Sequence, residues 1–124
     1  MTDSRNKGNR GEREFAGLLS AALGTQIARN LTQVRDGGTD ILDVEGWAIE
    51  VRRRERLALN AWWREVCARR YAEPRHPALA YRRNRRPWRV MVPLSCLVAG
   101  APGDEAATLS IEGFAALLQE PYRG

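Results

Sequence analysis

Two short apolar runs, Ile41 to Val44 and Trp47 to Val51, flank Glu45-Gly46, and this pattern constrains the chain more than any other. Runs of that length broken by a glycine predict an antiparallel hairpin. A three-residue loop of Val44, Glu45 and Gly46 sets Asp40 directly across from Glu50. A two-residue loop of Glu45-Gly46 sends the two carboxylates to opposite faces, because strand side chains alternate with period two. In the first register Asp40, Glu50 and Arg52 share one face, while Ile41, Ile49 and Val51 share the other and enter a core. Opposed carboxylates in a half-buried sheet repel and lose solvation, so that register calls for a compensating cation. A hard divalent ion such as Mg²⁺ suits oxygen ligands and keeps waters that can react. A surface hairpin with a solvated polar face would show the same pattern.

A chain of 124 residues is expected to form one domain with one core. Its net charge of +5 is unevenly spread: thirteen arginines and three glutamates lie between Arg52 and Arg89, and the tail beyond Gly100 is mildly acidic. Such a basic block is the electrostatic footprint of a polyanion partner, nucleic acid above all. Nineteen of the twenty basic residues are arginine, so a general arginine bias accounts for part of it. Cys67 and Cys96 are isolated and His76 is the one histidine, which argues against a zinc site, a disulfide framework or a histidine-based triad. No apolar run approaches the ~18 residues of a membrane span, and the N-terminus is polar; a cytoplasmic protein is expected.

In chain order, residues 1–8 read as a loose polar terminus. A helix follows from Asn9 or Arg10, with Phe15, Leu18, Leu19, Ala22 and Leu23 at helical spacing and Gly24 as its stop. At about 100° per residue, Glu12 projects about 50° from the centre of the apolar face and Glu14 about 110° away. Glu12 therefore leans inward, although the helix dipole also favours an acid in a first turn. Thr25 to Leu31 alternates as a strand, and Thr32 to Gly38 is a polar connection whose Gly37-Gly38 lets backbone approach a ligand. After the hairpin, Leu57 to Ala72 reads as an amphipathic helix stopped by Glu73-Pro74. Ala78 to Tyr81 and Trp88 to Leu94 are strands separated by the basic loop Arg82 to Pro87. Residues 100–124 form a linker, Gly100 to Asp104, and a last helix, Ile111 to Gln119, capped by Ser110. The order predicts an α/β fold with a mixed sheet flanked by helices.

At this point the chain resembles the PD-(D/E)XK nuclease superfamily, and within it the Holliday-junction resolvases of archaea and phages. Lys7-Gly8-Asn9-Arg10-Gly11-Glu12-Arg13-Glu14 is similar to their K-G-x-x-x-E-R-E opening, and Asp40 follows a glycine-containing loop as their aspartate does. Glu50-Val51-Arg52 matches E-V-K, and Arg83 to Val92, with Trp88-Arg89-Val90, resembles their late tryptophan-bearing strand. The likeness spans about residues 5 to 95. It implies a restriction-endonuclease-like αβββαβ core and Mg²⁺, with Mn²⁺ as a substitute, held by Glu12, Asp40, Glu50 and the carbonyl of Val51. One departure is plain: the family lysine is Arg52 here. A lysine there can shed its proton when buried, whereas an arginine stays protonated and only donates, which suits it to neutralising charge on a phosphate.

The resemblance implies hydrolysis of a DNA phosphodiester, with Glu12, Asp40, Glu50 and Arg52 as the catalytic set. Arg5, Lys7, Arg10, Arg29, Arg35, Arg53, Arg54, Arg82, Arg83, Arg85 and Arg86 are the candidate phosphate contacts. Such contacts carry no sequence information, so a branched or four-way junction recognised by shape is the expected partner. Paired cuts at a symmetric junction imply a homodimer. Trp62, Trp63 and Trp88 are expected in the core or the dimer interface, base stacking being the sharper alternative. The competing readings are another nicking or repair nuclease on the same core, a catalytically inactive DNA-binding module, and an RNA-binding protein.

Overall fold

The computed structural model describes residues 3–25, 44, 46–69 and 75–119, with side chains described for 10–25, 44, 46–68 and 75–119. The first helix, α1 (Asp3–Leu23), turns Phe15, Ala16 and Leu19 inward at spacings of three and four residues, the stripe one helical face presents. Glu12 lies on that stripe one turn earlier. Gly24 closes the helix with φ of 74°, its N–H donating to the Ser20 carbonyl at 2.8 Å; the left-handed conformation is one that glycine adopts without a Cβ clash.

Strand β1 (Trp47–Arg54) pairs in parallel with β2 (His76–Arg83), and helix α2 (Leu59–Arg69) makes the crossover that parallel pairing demands. Strand β3 (Arg89–Pro93) returns antiparallel to β2, and β4 (Ala106–Leu109) pairs antiparallel with β3, giving a mixed sheet of order β1-β2-β3-β4. Helix α3 (Ile111–Gln119) ends the described chain.

Strand alternation divides the core in two. Ile49, Val51, Ala78, Ala80, Val90 and Val92 face α1 and α3, where they meet Phe15, Leu19 and Phe114. Small Ala78 and Ala80 leave room for the helices, and the rings fill it: Phe15 tilts against Trp88 at 5.3 Å and Trp47 meets Phe114 edge-on at 5.4 Å. On the other face Leu79 packs with Trp63, Val66 and Cys67 of α2. Trp63 Nε1 donates to the carbonyl of Asp104 at 2.9 Å and ties α2 to the segment before β4. Trp63 and Trp88 are thus buried core residues, and Trp62 is half-buried.

Several expectations need correction. Helix α1 begins at Asp3, inside the stretch expected to be loose. Leu18 and Ala22 are exposed, off the stripe that enters the core. Helix α2 begins at Leu59, two residues after the expected Leu57, and residues 70–72 of the expected span lie outside the described residues. Strand β4 falls in the stretch expected to hold only a linker and the last helix; two alanines in four residues carry little strand signal, and pairing with β3 makes the strand. Ser110 does cap α3, its Oγ accepting from Gly113 N–H at 3.0 Å. The strand expected over Thr25 to Leu31 and the hairpin arm over Ile41 to Asp43 lie outside the described residues, apart from Thr25.

The turn before β1 is described. Trp47 N–H donates to the Val44 carbonyl at 3.2 Å, and Gly46 has φ of 84°. The arm that would pair with β1, and with it the register that sets Asp40 against Glu50, lies outside the described residues.

Candidate active site

Along β1, Ile49 and Val51 point toward α1, so Glu50 and Arg52 point to the α2 face. The Glu50 residue is 3% exposed. Arg52, two residues on and on the same face, folds back along the strand. Its Nη2 donates to Glu50 Oε1 at 3.1 Å and its Nη1 to the Val51 carbonyl at 3.2 Å. One guanidinium therefore receives two oxygens of the Glu50-Val51-Arg52 motif at once. Both are hard oxygen donors converging on a cation, the chemistry that a hard divalent ion requires.

Glu12 is 8% exposed, on the helix that packs against β1. Asp40, the third acid of the expected set, lies outside the described residues. Among the described residues, no group of three or more His, Cys, Asp or Glu side chains is gathered to hold a metal ion.

The register collects the arginines that the sequence scatters. Parallel pairing sets Arg53 beside Arg82 and Arg54 beside Arg83, and the turn to β3 adds Arg85 and Arg86 at the same end of the sheet. The carboxyl ends of parallel strands are where open α/β sheets take their ligands, and Glu50 and Arg52 are on the same strand. Arg10 is exposed on α1. The side chains of Arg5 and Lys7 are not among those described, and Arg29 and Arg35 lie outside the described residues.

Two contacts were not foreseen from sequence. Arg82 Nη1 donates to both carboxylate oxygens of Glu14, at 2.7 and 2.8 Å, and its Nε donates to the Arg86 carbonyl at 3.0 Å. Arg82 is therefore a strut between α1 and the β2–β3 turn, with its charge offset by Glu14, and not simply a phosphate contact. Gly11 abuts β1: a Cβ there would sit 3.0 Å from Arg53 Cβ. The signals were present in E-R-E and in the helical glycine, but their partners are separated by long stretches of chain.

An open cleft lined by Leu18, Ala22, Arg86, Trp88 and Ile111 lies between α1, the β2–β3 turn and α3; Glu12, Glu50 and Arg52 do not line it. Cys67 is buried, and burial pushes the Cys96 thiol above its ordinary pKa, so neither has the environment of an activated thiolate. No described helix is long and apolar enough to cross a membrane.

Comparison with known proteins agrees with this picture at the level of the family. No curated protein and no solved structure matches the chain. Residues 3–112 match the family described as "Phage putative PDDEXK endonuclease", a span that contains α1, the whole described sheet and the Glu50-Val51-Arg52 motif. The α/β fold, with helices on both faces of a mixed sheet, is consistent with that match, and the chain belongs to this family of phage PD-(D/E)XK endonucleases.

Proposed function

We propose that the chain is a Mg²⁺-dependent, structure-selective DNA endonuclease acting on four-way junctions. The observation that carries this reading is the convergence of Glu50 Oε1 and the Val51 carbonyl on a single cationic group at the arginine-rich end of the sheet. Glu12, Asp40, Glu50 and the carbonyl of Val51 would hold the ion, and Mn²⁺ would substitute for it. When bound, such an ion lowers the pKa of a coordinated water and offsets charge that develops on the scissile phosphate. Arg52 donates to that phosphate and takes no proton. Arg53, Arg54, Arg83, Arg85 and Arg86 neutralise the flanking backbone, which selects nucleic acid by shape. Two cuts at a junction require two copies of the site, hence a homodimer.

A second reading, an inactive DNA-binding module, draws on Arg52 standing where the family has lysine and pairing with Glu50. Incubating four-way junction, duplex and single-stranded DNA with the chain and Mg²⁺ separates the two. Paired symmetric cuts in the junction support the resolvase, and cuts elsewhere support a more general nuclease. Tight binding without cutting supports the inactive module. Asp40→Asn is expected to remove cleavage and leave binding intact.

A further inference from the structure

We infer that Arg52 is a resident counter-ion, seated between Glu50 and the Val51 carbonyl, which must swing away before a divalent cation can enter. The inference rests on the metal-dependent reading above and adds a rule for how the site is loaded.

Three observations converge. The oxygens assigned to the metal, Glu50 Oε1 and Val51 O, are the two that accept from Arg52, at 3.1 and 3.2 Å. The Glu50 side chain is 4% exposed, so its charge is poorly solvated and a nearby cation is strongly favoured. The Arg52 side chain is 20% exposed, which leaves it a way to solvent from the same contact. A guanidinium and a metal ion cannot share those oxygens, so the two cations compete.

The fork geometry makes the competition specific to arginine. Two nitrogens in one rigid plane bond to two oxygens at once; a lysine ammonium is a single point that leaves the strand more freely. Release of Arg52 delivers its charge to the end of β1 and β2, beside Arg53, Arg54 and Arg83, where a DNA strand would lie. A phosphate that captures Arg52 thereby vacates Glu50, so DNA and metal each strengthen the binding of the other, by the same factor.

The test is a calorimetric titration with Mn²⁺ alone of the wild-type chain, Arg52→Gln and Arg52→Lys, with circular dichroism to establish folding. Arg52→Gln is expected to bind Mn²⁺ about tenfold more tightly, within the usual range for coupled sites, with Arg52→Lys in between. Equal or weaker binding by Arg52→Gln overturns the inference and leaves the metal site standing. No binding by any of the three chains overturns both the metal reading and the inference. Should Arg52→Gln fail to fold, the wild type alone decides: the Arg52 guanidinium ¹H–¹⁵N signals are expected to shift and sharpen with fast rotation on Mg²⁺ titration. Signals that stay unchanged while other resonances of β1 respond overturn the inference.

Discussion

Arg52 Nη2 donates to Glu50 Oε1 at 3.1 Å across the two-residue repeat of β1, so the motif's cation and its acid are partners within one strand. Removing one member of such a pair leaves the other charge buried. Because Arg52 is partly exposed, the loss is smaller than for a fully buried pair. Arg52→Gln is expected to destabilise the chain by about 2 kcal/mol in EDTA. Saturating Mn²⁺ should restore that stability by mass action on the folded state. Urea unfolding with and without Mn²⁺ measures both, and an equal deficit in the two conditions would refute the link.

Glu14 and Arg82 make the second informative pair. The bidentate contact links α1 to β2 but is partly exposed, so its net worth is about 1 kcal/mol and falls with salt. Glu14→Gln should cost that much in chemical denaturation. It should also release the Arg82 charge toward DNA, raising affinity and steepening the salt dependence of binding by up to about one unit of slope. A loss of stability with unchanged or weaker DNA binding would show that Arg82 does not face the backbone.

The β2–β3 turn holds Arg85 at φ of 66°, with Arg86 N–H donating to the Arg83 carbonyl at 2.9 Å. A left-handed arginine costs about 1–2 kcal/mol, and glycine relieves it while adding about 0.5–1 kcal/mol of chain entropy. Arg85→Gly should therefore leave thermal stability unchanged or slightly raised and weaken DNA binding, reducing the salt slope by about one unit. Opposite signs in the two measurements separate a strained binding residue from an ordinary surface arginine.

Much of this was legible in the sequence, and what was not has a physical cause. The stripe through Glu12, Phe15 and Leu19 and the Ser110 cap are local, and short-range periodicity carries them. The Glu50-Val51-Arg52 face follows from strand alternation alone. Strand β4 has almost no local signal, since its Ala-Ala-Thr-Leu becomes a strand only by pairing with β3. The neighbouring of Arg53 with Arg82 depends on a parallel register set by a crossover helix, which spacing along the chain does not encode.

Gly11 and Gly17 lie on the same helix and should respond oppositely to the same substitution. A Cβ at Gly11 would stand 3.0 Å from Arg53 Cβ and 3.8 Å from the Trp88 ring, whereas one at Gly17 meets nothing within 4 Å. Gly17→Ala should stabilise the chain by about 0.5–1 kcal/mol, the usual gain from removing an unneeded helical glycine. Gly11→Val forces α1 away from β1 and should cost about 1–3 kcal/mol as overpacking does. The displacement also moves Glu12, the next residue, relative to β1. DNA cleavage measured at a temperature where both variants stay folded is therefore expected to fall at least tenfold for Gly11→Val, given how steeply rate depends on ångström-scale placement. It should be unchanged for Gly17→Ala. A Gly11→Val chain that cleaves normally while folded would remove the spacing between α1 and β1, and with it Glu12, from the requirements of the reaction.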